Sequence, residues 1–102
     1  MTEGDLLSEV LRLAEKYGVL AYHVYDSRRS SGPGFPDLVL ASTSGLMFVE
    51  LKDSVGMRSP DQVTWAYTLA AAGQAYAVWR PRDLESGLIE SELSELATDY
   101  MV

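Results

Sequence analysis

One segment constrains the fold more than any other: a helix signal set between two short apolar strand signals. Ser59 is a good N-cap, Pro60 suits a first helical turn, and Gly73 ends the helix after about Ala72. Leu46–Lys52 before it and Ala75–Trp79 after it are apolar and short enough to be strands. A strand–helix–strand passage of this kind carries the chain back to begin a neighbouring strand, so these two are expected to lie parallel. Upstream, Asp37–Ala41 and Leu46–Lys52 are separated only by Ser42-Thr43-Ser44-Gly45, which reads as a hairpin. A hairpin is antiparallel, so the sheet must be mixed.

The rest of the chain fits around that unit. Leu6, Leu7, Val10, Leu11, Leu13, Ala14 and Tyr17 recur at helical spacing, with Thr2 and Asp5 as a capping pair and Gly18 as the stop. Val19–Tyr25 reads as a strand, and residues 26–34 and 54–58 as loops. Leu88, Ile89, Leu93, Leu96, Ala97 and Tyr100 mark a last amphipathic helix with an acidic outer face. The expected fold is α/β in the order α-β-β-β-α-β-α, a mixed sheet flanked by helices, forming one domain over residues 1–102.

Composition removes several chemistries. The chain has no cysteine and a single histidine, His23, so disulfides, thiolate metal sites and a histidine-rich zinc site are excluded. The N-terminus lacks a basic signal-peptide start and no apolar run approaches a membrane span, so an intracellular, membrane-free setting is expected. The net charge of −7 argues at first against a polyanionic partner. The distribution of that charge argues the other way: residues 83–102 alone contribute −6, whereas residues 26–82 sum to +1. If two of the central acids were metal ligands, the cation would offset them and this region could face an anion.

Three residues there carry chemistry. Asp37 opens one strand, and Glu50 and Lys52 share a face near the end of the next, together with Phe48. Hairpin pairing can bring the Asp37 carboxylate to Glu50. Two carboxylates beside a lysine can hold a hard divalent cation and orient a water. The same residues also read as a surface Glu–Lys pair plus a turn aspartate. Arg28 and Arg29, in a glycine- and serine-rich loop, suit phosphate contacts, and Arg58 stands likewise on the second loop; solvated loop charges are the alternative. His23 reads as a structural strand residue, and Trp65, Tyr67 and Trp79 as core or interface residues with base stacking as the lesser alternative.

The ordered set Gly34-Phe35-Pro36-Asp37-Leu38-Val39-Leu40, Phe48-Val49-Glu50-Leu51-Lys52 and Gly56-Met57-Arg58-Ser59-Pro60-Asp61-Gln62 resembles the VRR-NUC nucleases of the PD-(D/E)xK superfamily. Twelve residues separate Asp37 from Glu50, and Gln62 stands ten past Lys52. Tyr22 to Ser30 and Trp79-Arg80-Pro81 also look like the small stand-alone members, so nearly the whole chain is covered. The resemblance implies a restriction-endonuclease-like core. It makes Asp37 and Glu50 metal ligands with the Leu51 carbonyl as a third, Lys52 the catalytic lysine, and Gln62 the glutamine beside the site. It also implies DNA contacts from Arg28, Arg29, Ser30 and Arg58. The family places a glutamate on its first helix. Glu3, on the stripe of Leu7, Val10, Ala14 and Tyr17, is preferred to Glu9 as that residue and as a further metal ligand. Leu7 departs from the polar residue of many relatives.

The implied activity is a Mg²⁺- or Mn²⁺-dependent DNA endonuclease, a homodimer acting on branched DNA such as Holliday junctions, with no nucleotide cofactor. Two other readings stay open: a nucleic-acid-binding module without catalysis, and a protein-interaction domain using the acidic last helix.

Overall fold

The computed structural model describes residues 1–25 and 30–98. Its elements are α1 (Glu3–Lys16), β1 (Leu20–His23), β2 (Leu38–Ser42), β3 (Gly45–Leu51), α2 (Pro60–Ala71), β4 (Ala75–Trp79), α3 (Pro81–Glu85) and α4 (Leu88–Ala97). The four strands lie in the order β1-β2-β3-β4. The two hairpin-type pairs are antiparallel, and β3 and β4 are parallel across the α2 crossover, as the strand–helix–strand pattern predicts.

Alternation along the strands divides the sheet into two unlike faces. Leu38 and Leu40 of β2 and Met47, Val49 and Leu51 of β3 all point to one side. There they meet Leu6, Val10, Leu13 and Ala14 of α1 and Ile89 and Leu93 of α4, forming the core with Trp79. Each fully buried leucine is worth about 1.5–3 kcal/mol, so this face carries most of the stability. The opposite face holds Phe48 and Glu50 and is covered more thinly by α2, of which only Ala66 is buried.

Caps set the helix ends. Thr2 Oγ1 accepts the Asp5 amide at 3.0 Å while Asp5 Oδ2 accepts the Thr2 amide at 2.9 Å. Ser59 and Gln62 form the same reciprocal pair on α2. Two expectations change. β1 is shorter than Val19–Tyr25, with Leu20 and Tyr22 largely exposed on an edge strand. Residues 81–85 form the short helix α3, started by Pro81 and by Asp83 Oδ2 accepting the Arg80 amide at 2.8 Å. Five residues are too few to leave a periodic signature in the sequence.

The acidic last helix spends its charge within the chain. Glu90 Oε2 accepts from Lys16 Nζ at 2.8 Å and the Tyr17 hydroxyl at 2.7 Å, and Glu92 Oε1 accepts from Trp79 Nε1 at 2.7 Å. Tyr100 lies outside the described residues. Among the described residues no helix is long and apolar enough to cross a membrane.

Candidate active site

Among the described residues Glu50 is the one buried charged residue, 1% exposed, at the end of the central strand β3. Its Oε2 accepts a hydrogen bond from Gln62 Nε2 at 2.6 Å and lies 3.8 Å from Lys52 Nζ. Its Oε1 is buried with no hydrogen-bond donor. The Asp37 carboxyl stands within hydrogen-bonding range of Glu50, and two ionised carboxylates cannot satisfy one another. Burial above all, then the Asp37 charge and their shared hydrogen bond, push the Glu50 carboxyl up to about 8 against the pull of Lys52. Asp37 itself is held by β3: its Oδ2 accepts the Leu51 amide at 2.7 Å.

An aromatic stack brings these groups together from three separate segments. Phe48 meets Phe35 edge-on at 6.1 Å, and Phe35 meets Trp65 edge-on at 5.0 Å. Glu50 follows Phe48 by two residues, Asp37 follows Phe35 by two, and Gln62 precedes Trp65 by three. Docking the rings therefore docks the site. Trp65 Nε1 adds a 3.2 Å hydrogen bond to the Pro33 carbonyl. Gly34, at φ +86°, lets the loop press on the start of α2: a Cβ there would stand 2.5 Å from the Asp61 carbonyl carbon and 2.7 Å from the Gln62 nitrogen.

A cleft of about 220 Å³ opens beside Asp37, lined by Glu3, Gly4, Leu7, His23, Asp37 and Leu51. Glu3 thus faces the carboxylate pair, and burial, then Asp37, raise its carboxyl. Glu9 instead pairs with Arg12 at 3.0 Å on the exposed side of α1. His23, expected from the sequence to be a structural strand residue, is a cleft residue. Its register opposite Leu38 sets it next to Asp37, a placement that needs the β1–β2 pairing to be seen. A larger cavity of about 370 Å³ lies between α1 and β1, lined by residues such as Leu11, Val19 and Leu20, with Glu15 its one charged group.

The cationic residues divide. Arg58 is exposed and lies close enough to Tyr76 on β4, a residue that no motif in the sequence marks, to act on its hydroxyl. Burial raises the Tyr76 hydroxyl, Arg58 works the other way, and the charges of Glu50 and Asp37 add to the rise. Arg58 therefore stands on the site's side of the sheet. Ser30 Oγ accepts the Gly32 amide at 3.1 Å at the end of the loop. Arg28 and Arg29 lie outside the described residues. Trp79 is buried core, Trp65 packs on the loop, and Tyr67 is 76% exposed.

The donor set fits a hard divalent cation. An orphaned buried carboxylate oxygen facing a second carboxylate is neutralised either by a proton or by a metal ion, and oxygen ligands suit Mg²⁺ or Mn²⁺. Among the described residues no three acidic or histidine side chains close up on a single point, so a full ligand shell there includes backbone carbonyl or water.

No family model matches the sequence, and no curated protein does. Solved structures with this architecture do exist. A mixed four-stranded sheet flanked by helices defines an α/β domain. One similar structure is a VRR_NUC domain protein, with TM-score 0.68 and 20% identity, covering 94% of this chain and 90% of that one. Another is the Archaeoglobus fulgidus Holliday junction resolvase Hjc, with TM-score 0.51 and 29% identity over 78% of this chain and 66% of the resolvase. The chain has a VRR-NUC-like nuclease fold.

Proposed function

We propose that this protein is a divalent-metal-dependent endodeoxyribonuclease that hydrolyses phosphodiester bonds in branched DNA. The observation that carries the reading is the buried Glu50 carboxyl set against the half-buried Asp37 carboxyl, with Lys52 Nζ 3.8 Å from Glu50. A structural role does not call for two crowded acids next to an open cleft, whereas a cation site does. The likeness to a structure described as a Holliday junction resolvase supports branched DNA as the substrate class.

Asp37, Glu50 and the Leu51 carbonyl would hold Mg²⁺ or Mn²⁺, with Glu3 as a further carboxylate across the cleft. Such a cation supplies a water of lowered pKa and polarises the phosphate. Lys52 would orient the attacking water and balance charge developing on the phosphate oxygens. Gln62 fixes the Glu50 carboxylate through Oε2, which leaves Oε1 for the site. Arg58, with Arg28, Arg29 and Ser30, contacts the DNA backbone.

The working form in this reading is a homodimer, since two symmetric cuts in a junction need two sites related by a two-fold axis. Ile89 and Leu93 are fully buried in their own core and cannot serve a partner. The outward face of α2 is the better surface, with Val63 47% and Tyr67 76% exposed and Ala72 open to solvent. The rival use of the acidic last helix is weakened by Glu90 and Glu92, which are bonded within the chain.

Labelled linear, flap and four-way DNA incubated with the protein, with and without Mn²⁺, tests the reading. Metal-dependent cleavage that Asp37→Asn and Lys52→Ala both abolish is expected. Binding without cleavage would make the protein a silent nucleic-acid module, and neither would end the nuclease reading. Light scattering at micromolar concentration reads the dimer.

A further inference from the structure

The loop that follows Lys52 is fixed from both sides. Asp53 Oδ1 accepts the Val55 amide at 3.0 Å and the Gly56 amide at 2.5 Å, and Arg80 Nη1 donates to the Asp53 carbonyl at 2.8 Å. Gly56 rests on the lysine: a Cβ there would stand 3.4 Å from Lys52 Cδ and 3.0 Å from Asp53 Oδ1. The two residues flanking Gly56 project into water, Val55 85% and Met57 87% exposed.

Apolar side chains at this exposure stay unfavourably hydrated unless something covers them, and a pinned loop cannot fold them onto its own core. Their surroundings identify the cover. Lys52, 14% exposed beside Glu50, precedes them, and the exposed Arg58 follows them directly, on the site's side of the sheet. An apolar pair followed at once by an exposed arginine suits a ligand that offers anionic phosphate and a flat apolar face a few ångströms apart. A DNA strand offers both only where its bases are unstacked.

We propose that Val55 and Met57 form a wedge against nucleobase faces exposed at a branch point, and that this contact selects branched over continuous duplex DNA. The proposal rests on the nuclease reading and names what gives that site its substrate preference. In continuous duplex each base face is covered by its neighbour, so the wedge gains nothing. At a branch the stack is interrupted and a face is free.

The test compares kcat/KM in Mn²⁺ on a four-way junction and on a linear duplex of the same sequence. Wild type, Val55→Ser with Met57→Ser, and Val55→Ile with Met57→Leu are measured, with 2-aminopurine at the branch as a binding probe. The serine pair is expected to lose at least roughly tenfold in the branched-to-linear ratio, a lower bound that even partial cover of two apolar side chains would exceed. It should also lose the 2-aminopurine signal, while the Ile/Leu pair keeps both. An unchanged ratio in the serine pair, or a wild type without preference for the junction, overturns the wedge and leaves the nuclease reading standing. A wild type that cuts no DNA with Mn²⁺ overturns that reading, and the wedge with it.

Discussion

Gln62 Nε2 donates a 2.6 Å hydrogen bond to Glu50 Oε2, while Oε1 of the same amide accepts the Ser59 amide at 2.8 Å in the α2 capping box. One side chain thus joins the start of a helix to the buried carboxylate. Which oxygen of Glu50 stays unpaired is set by the capping glutamine twelve residues downstream.

The first prediction follows from that double duty. Gln62→Glu keeps an acceptor for the Ser59 amide but turns the donor facing Glu50 into a like charge. Helix content by circular dichroism should hold, while metal affinity or cleavage falls by roughly 10–100-fold. Wild-type Mn²⁺ dependence in this variant would show that the hydrogen bond does not position Glu50.

The metal-free protein should lose stability as pH rises. Glu50 has its carboxyl pushed up from 4.5 to about 8, so between those values the folded chain holds a proton that the unfolded chain has released. The stabilising contribution is complete below about 4.5 and gone above about 8. Thermal melts in chelator should therefore fall steadily from pH 5 to pH 9. Glu50→Gln should flatten that dependence, and Mn²⁺ should restore the wild type at high pH. A parallel decline in wild type and variant would assign the pH effect to other groups.

Gly34→Ala should damage fold and site together. The new Cβ meets Asp61 backbone at 2.5 Å at a φ of +86°, and relief requires the loop to lift from α2. A loss of about 2–4 kcal/mol in urea titrations is expected, with cleavage reduced further than stability explains. Gly73→Ala is the control: its φ is +83° with open space around the added Cβ, so about 1 kcal/mol is expected and no separate loss of cleavage. Equal costs at both glycines would remove the close approach as the cause.

DNA binding without divalent metal should weaken steeply with salt despite the net charge of −7. Arg58→Ala should lower the slope of log K against log salt by about one, as should Arg28→Ala and Arg29→Ala. Fluorescence anisotropy from 50 to 200 mM salt reads this, taking those limits as roughly where counterion release is measurable. A slope untouched by all three would place these arginines in solvent.

Much of the molecule was open to reading along the chain. Periodicity located α1, α2 and α4, and capping residues marked the starts of α1 and α2, because a helix face and a capping box are written within a few residues of one another. The hairpin, the parallel crossover and the shared face of Phe48, Glu50 and Lys52 follow from turn chemistry and two-residue alternation, which are local too. What the chain itself could not express is proximity between distant segments. The Phe48–Phe35–Trp65 stack, the place of His23 on the cleft and the approach of Arg58 to Tyr76 each join residues through packing. The sequence determines that Asp37, Glu50 and Lys52 sit at strand ends. Only the tertiary structure decides that Glu50 is buried, left with one oxygen unpaired and pressed against Asp37, because desolvation and charge repulsion depend on what surrounds a carboxylate and not on its neighbours in the chain.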